Sequence, residues 1–274
     1  MNTAQADKAG RFRALHQRAG TFVIPNVWDG ASACVMAGLE FEALATSSSA
    51  CAGTLGRLDG QITRDEALAH ARVIVAACAL PVSADLEQGF GDSPETVAET
   101  IRQAAAAGLV GGSIEDASGN PRAPLYDFEL AVERVAAAVE AARQLPFPFT
   151  LTARAENYLH GRPDLDDTLR RLEAFERAGA DVLFAPGLPD LATVRTVCSA
   201  VHKPVNFMVG IRGRSFSVAE LAAAGVKRIS LSTSLYRAAM SGLYAAGREV
   251  KDSGTFSYVE SIMSGKDLAG FIER

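Results

Sequence analysis

Eight short β-like runs, separated by alanine-rich helical stretches, constrain this 274-residue chain more than any other feature. The runs lie at 22–25, 43–46, 82–85, 112–115, 150–154, 182–185, 205–208 and 228–232. Helical patterns fall between them, at 94–107, 128–142, 165–178 and 217–223. Three helix-to-strand junctions share a glycine: Ala107-Gly108-Leu109, Ala178-Gly179-Ala180 and Ala224-Gly225-Val226. Glycine suits the left-handed position just past a helix end. Repeated βα units call for a parallel sheet with helices outside it, and eight of them for a closed (β/α)8 TIM-type barrel. A doubly wound open sheet is the alternative, but no glycine-rich phosphate loop follows the first run.

No linker or shift in composition divides the chain, so 1–274 is expected to form one barrel domain. Residues 238–274 are expected to extend it as helix beyond the eighth run. Apolar positions there, among them Leu243, Tyr244, Phe256, Val259, Ile262, Met263, Leu268 and Phe271, exceed the needs of one outer helix. They are expected to dock on a neighbouring subunit. The chain is 48% hydrophobic, enough for a large core, and its net charge of −5 offers no broad basic field for nucleic acid. The first twenty residues carry Lys8, Arg11, Arg13 and Arg18 without an apolar segment, and the run 73–80 is far too short to span a bilayer. Cys34, Cys51, Cys78 and Cys198 show neither paired nor zinc-like spacing. A cytoplasmic protein that binds no membrane and no nucleic acid is expected.

Chemistry concentrates at the ends of the runs, where a barrel of this kind places its reactive groups. The third run leads into Asp85-Leu86-Glu87-Gln88-Gly89-Phe90-Gly91-Asp92. Acids two apart on a strand face one way, and such a pair is costly to bury without a cation. Glu115 ends the fourth run and Asp59 lies in the loop after the second. Four acids meeting at one rim suit a hard divalent ion, Mg²⁺ or Mn²⁺, which takes oxygen ligands and keeps some of its water.

Ser47, Ser48 and Ser49 follow the second run. They read either as a donor cradle for a substrate oxygen or as a helix cap. Arg154 ends the fifth run, fit to grip a carboxylate or to pair internally with Glu156 or another barrel acid. Asn206, in the seventh run, offers an amide to a carboxylate or to the barrel backbone. The four histidines form no metal-binding pattern, and His160 is an acid/base candidate only by its place in the loop after Arg154.

These residues, in this order, resemble the isocitrate lyase/phosphoenolpyruvate mutase superfamily over about 22–234. The resemblance implies a (β/α)8 barrel, typically a homotetramer with its last helix exchanged between subunits. It also implies Mg²⁺ and a 2-oxo or 2-hydroxy acid processed through an enolate-like species. By this likeness Asp85 contacts the ion directly. Glu87 replaces the second aspartate of the family's DxDxGxG pattern, and with Glu115 and Asp59 it holds the ion largely through water. Ser47 and the backbone N–H groups of Ser48 and Ser49 match the substrate-oxygen cradle, and Arg154 matches the carboxylate-binding arginine.

The chain departs from the family in the loop 116–126, Asp116-Ala117-Ser118-Gly119-Asn120-Pro121-Arg122-Ala123-Pro124-Leu125-Tyr126. It lacks both the cysteine and histidine of the isocitrate and methylisocitrate lyases and the lysine of the mutase, leaving Asn120 and Arg122 as stand-ins. The expected activity is Mg²⁺-dependent cleavage of a C–C bond in a small 2-oxo acid, of lyase or decarboxylase type. The alternatives are a phosphonomutase that makes or breaks P–C bonds and a non-catalytic barrel that binds 2-oxo acids.

Overall fold

The structure is a computed structural model and describes residues 3–273. Eight strands alternate with helices: β1 (Phe22–Ile24), β2 (Leu44–Ala45), β3 (Val82–Asp85), β4 (Gly111–Glu115), β5 (Thr150–Arg154), β6 (Val182–Phe184), β7 (Val205–Met208) and β8 (Arg228–Ser230). The helices are α1 (Thr3–Gln17), α2 (Gly30–Gly38), α3 (Ser48–Thr54), α4 (Arg64–Ala77), α5 (Pro94–Ala106), α6 (Phe128–Arg143), α7 (Leu165–Ala178), α8 (Leu191–Ala200), α9 (Val218–Ala223), α10 (Ser234–Ser253) and α11 (Gly265–Ile272). Every strand pairing is parallel, in the order β1-β8-β7-β6-β5-β4-β3-β2. The last gap closes just beyond β1, where Asn26 bridges Ala45 and Val27 N–H donates to the Ala45 carbonyl at 2.8 Å. The fold is the expected (β/α)8 barrel.

Local chemistry sets the element ends. Thr63 and Glu66 form a reciprocal cap on α4, and Ser93 with Pro94 starts α5. Gly108, Gly179 and Gly225 all hold positive φ, at 93°, 105° and 93°, at the three junctions marked by glycine in the sequence. The outward faces of the strands bury Val82, Ala84, Ile114, Leu151, Ala153, Val205, Phe207 and Ile229 against the helices.

The inward positions are different. Most barrels fill this space with branched apolar side chains. Here Ser83, Asp85, Ser113, Arg154, Asn206, Arg228 and Ser230 line it instead. Ile24, Phe184 and Met208 also line it.

Helix α1 closes the N-terminal end of the barrel with Ala9, Phe12, Leu15 and His16, packed around Phe22, Ile24 and Val110. His16 Nδ1 lies 2.9 Å from the Phe12 carbonyl, which can only accept, so the ring proton sits on Nδ1. Nε2 then presents its lone pair to Arg228 Nη1 at 3.4 Å. Burial, and then the Arg228 charge, lower the His16 pKa to about 3. The unfolded chain takes up this proton below about pH 6.5 and the folded chain does not, so stability falls with pH. Between pH 7.5 and 5, His16 should lower the unfolding free energy by about 2 kcal/mol. Urea titrations of wild type and His16→Gln at pH 7.5 and 5 measure this. The variant should lose correspondingly less stability on acidification, and equal losses would disprove the neutral buried ring.

Beyond β8 the chain leaves the barrel surface. The twenty residues of α10 include none that is buried, and Leu243, Tyr244, Phe256, Val259, Ile262 and Met263 stand exposed in and after it. α11 returns to pack on α2, with the Phe271 ring so close over Gly38 that a Cβ there would collide with it. No helix of the described residues is long and apolar enough to cross a membrane.

Candidate active site

Arg154 stands at the centre of the barrel mouth, carried there by the inward register of β5. Its guanidinium reaches three carboxylates: Asp85 Oδ1 at 2.9 Å, Glu115 Oε2 at 3.1 Å and Glu156 Oε1 at 2.9 Å. It also lies over the Phe184 ring, 5.1 Å from the centroid. Of the two readings of Arg154 open in the sequence, the structure shows the internal ion pair, but one spread over three acids. Three negative groups on one cation leave surplus negative charge at the rim. Burial pushes the Glu115 carboxyl well above its ordinary range, and Arg154 only partly offsets this.

Asp85 is the best-held acid of the set. Ser48 donates to its Oδ2 from both the backbone N–H, at 3.2 Å, and the hydroxyl, at 3.0 Å. The Asp85 N–H itself donates to Thr46 Oγ1 at 3.0 Å. The Ser48 N–H is thereby committed to Asp85 instead of standing free in a cradle. Ser47 caps α3, accepting from Ala50 N–H at 3.3 Å, and also lines the pocket. Ser49 lies in the first turn of α3.

Glu87 arrives by a different route from the one its spacing suggests. β3 ends at Asp85, and Glu87 lies in the turn beyond it with φ of 49°, so strand alternation does not place it. A buried Arg134 from α6 holds that turn, donating to the carbonyls of Gln88, Gly91 and Asp92 while stacked 4.1 Å from the Tyr126 ring centroid. Glu87 Oε1 is buried without a hydrogen-bond partner. Burial, then repulsion from Asp85 and Asp59, push its pKa up to about 7. Asp59, on the loop between α3 and α4, is raised too, first by desolvation and then by Asp85, against a hydrogen bond from Ser48. The four acids therefore sense one another electrostatically. Among the described residues, though, no three His, Cys, Asp or Glu side chains gather tightly enough to form a preset metal cage.

A second pairing braces the rim from outside. Asp116 accepts from the Glu156 N–H at 2.8 Å and pairs with Arg171 at 3.1 Å, and Arg171 also pairs with Asp167 at 2.8 Å. Glu156 and Asp116 are almost wholly buried. His160 lies 3.9 Å from Glu156 and does not line the pocket. The loop 116–126 folds on itself, with Ala117 bridging Leu125 and Ser118 N–H bonded to the Pro124 carbonyl. Asn120 and Arg122 are both exposed there.

Below Arg154 the pocket runs down the barrel axis, with a volume of about 70 Å³. That is room for an acid of a few heavy atoms or several waters, far short of the roughly 300 Å³ at which sites for drug-sized ligands begin. Asn206 sits inside it with both ends of its amide engaged, accepting from Arg228 Nε at 2.8 Å and donating to Ser230 Oγ at 3.0 Å. It bonds side chains, not the barrel backbone. Sequence reasoning passed over Arg228, His16 and Arg134. For Arg228 a signal existed, since it stands two residues before Ser230 and shares the inward register of its strand.

Comparison with known proteins places this fold and mouth. The family model for phosphoenolpyruvate phosphomutase matches residues 12–251, and the chain belongs to the isocitrate lyase/phosphoenolpyruvate mutase superfamily. It is similar to a solved structure from Burkholderia cenocepacia J2315, provisionally described as a lyase/mutase. The identity is 53% and the TM-score 0.97, covering 100% of this chain and 98% of that one. It is 33% identical over 196 residues to 2-methylisocitrate lyase of Escherichia coli K12, covering 68% of this chain and 65% of that protein. It is 29% identical over 245 residues to oxaloacetate decarboxylase of Ectopseudomonas mendocina, covering 87% and 82%.

Proposed function

We propose that this protein is a divalent-metal-dependent enzyme that cleaves a C–C bond beside the 2-oxo group of a small acid, as a lyase or decarboxylase. The observation that carries the reading is Arg154 poised over Asp85, Glu115 and Glu156 at the mouth of a closed, hydroxyl-lined pocket of about 70 Å³. The kinds of reaction named for its relatives support it.

The residues fit Mg²⁺ or Mn²⁺. Mg²⁺ keeps several waters and needs only one or two protein carboxylates, so a full cage is not required. Asp85 would hold the ion directly, with Glu87, Glu115 and Asp59 reached through water. The unpartnered Glu87 Oε1 is an oxygen in want of such a partner. Bound there, the ion would act as a Lewis acid on the 2-oxo group.

The chain's own residues do the rest. Arg154 turns part of its fork from the acids to the substrate carboxylate and fixes the scissile bond. The Ser47 hydroxyl and the Ser49 N–H offer donors to the oxygen on which charge develops as the bond breaks. The narrow pocket holds a few waters at most, and one of them gives the enolate carbon its proton after CO₂ has left. The loop 116–126 brings no cysteine, histidine or lysine over the site. A reaction whose leaving group is CO₂ asks for no general acid there, which favours decarboxylation within the class.

The exposed apolar faces of α10 and the segment after it support a second part of the reading: this arm docks on another copy of the chain in a homo-oligomer. The test of function is a substrate panel of oxaloacetate, substituted malates, methylisocitrate and phosphonopyruvate, with Mg²⁺, Mn²⁺ or EDTA. Turnover of a 2-oxo or 2-hydroxy acid, abolished by EDTA, is expected. A new ³¹P signal from phosphonopyruvate alone would replace the reading with P–C chemistry, and binding without any turnover would leave a sensor barrel.

A further inference from the structure

Arg228 is a buried cation without a counter-ion. It enters the barrel from the first residue of β8 and is 6% exposed. Its hydrogen-bond partners are all neutral: Asn206 Oδ1 at 2.8 Å, Thr152 Oγ1 at 2.9 Å and His16 Nε2 at 3.4 Å. No carboxylate among the described residues pairs with it. Burial lowers its pKa to about 9, which still leaves it charged at neutral pH.

An isolated buried charge is expensive, and proteins keep one only where something offsets it. The other pocket arginine shows the contrast, since Arg154 has three carboxylates around it. Arg228 lines the same pocket from the floor, with Asn206 and Ser230 beside it. Its Nε–H polarises the Asn206 amide and fixes which way it faces, so that Nδ2 bonds Ser230 Oγ. Neutral His16 beneath adds no charge and accepts one guanidinium N–H, holding the fork in place.

We propose that Arg228 is the positioning cation of the pocket floor, orienting Asn206 and supplying the positive charge that selects small acids with two negative groups over those with one. The proposal rests on reading this pocket as a small-acid site and names the charge of its substrate. Arg228 acts through Asn206 and through its field rather than by touching reacting atoms.

Calorimetric titration of the full chain with oxalate, in the presence of Mg²⁺, tests it without requiring turnover. Glyoxylate, similar in shape with one negative charge, is the control. Losing the buried positive charge should weaken oxalate binding by about 30-fold in Arg228→Met and in Arg228→Gln, while glyoxylate changes by less than about threefold. Arg228→Lys, which keeps the charge, should stay within about fivefold of wild type for oxalate. Thermal melts of the same variants separate a structural role. Arg228→Met relieves the desolvation of a buried charge but takes a donor from Asn206, Thr152 and His16, so its melting temperature should stay close to that of wild type. Oxalate affinity unchanged in Arg228→Met and Arg228→Gln, or parallel losses for both ligands, overturns the proposal alone. A wild-type protein that binds neither acid overturns it together with the small-acid reading of the pocket.

Discussion

Arg154→Met should be the most destabilising single change at the barrel mouth, lowering the unfolding free energy by about 3–5 kcal/mol at pH 8. The substitution leaves Asp85, Glu115 and Glu156 facing one another with their shared cation gone. Glu156 is buried, and Glu115 is already pushed upward by its surroundings. The folded state can relieve the repulsion only by binding protons. In the variant the Glu115 carboxyl, already raised by burial, loses the cation that offset part of this and titrates higher when folded than when unfolded. For an acid raised in this way, folding is favoured at low pH and loses stability as pH rises above the unfolded value near 4.5. Arg154→Met should thus recover much of its deficit between pH 8 and pH 5, opposite in sign to the His16 effect. Arg154→Lys should fall between, because an ammonium supplies the charge but not a planar fork for several carboxylates. Guanidinium unfolding at the two pH values decides this. A variant as stable as wild type at pH 8 would mean that the three contacts contribute little.

The alternation of apolar runs and glycine-ended helices was enough to place every strand within a residue or two, because each βα unit is specified locally. It was also enough to bring Asp85, Glu115, Arg154 and Ser47 to one end, since strand polarity alone does that in a parallel barrel. What the residues could not disclose was which partners those groups choose. Arg154 could face a substrate or its own acids, and only packing across β3, β4 and β5 shows it shared among three. Glu87 sits at the strand-like spacing from Asp85, yet a left-handed turn pinned by Arg134 sets its place. His16 lies among Lys8, Arg11, Arg13 and Arg18, a context that reads as solvated, while the helix turns Phe12, Leu15 and His16 together into the barrel. Arg228 was hidden for a related reason. A cation beside Lys227 at the start of a strand looks like a surface pair until the register shows that one points out and the other in.

Asp85→Asn should reduce turnover by about a thousandfold while leaving the protein folded. If the bound ion supplies several kcal/mol of charge stabilisation, its loss corresponds to that factor at about 1.36 kcal/mol per tenfold. The substitution is nearly isosteric, and the Asn oxygen can still accept from Ser48. Arg154 keeps Glu115 and Glu156, and one surplus negative charge is removed from the rim, so the stability change should be about 1 kcal/mol or less. The affinity for Mn²⁺, measured by calorimetry without substrate, should fall together with turnover if Asp85 holds the ion directly as proposed. Removing its charge also removes the second-largest influence raising Glu87, whose carboxyl should then titrate nearer its ordinary range. That shift, followed by carbon NMR of labelled glutamate, separates loss of one charge from collapse of the site. An Asp85→Asn protein that turns over within tenfold of wild type would end the metal-dependent reading whatever its stability.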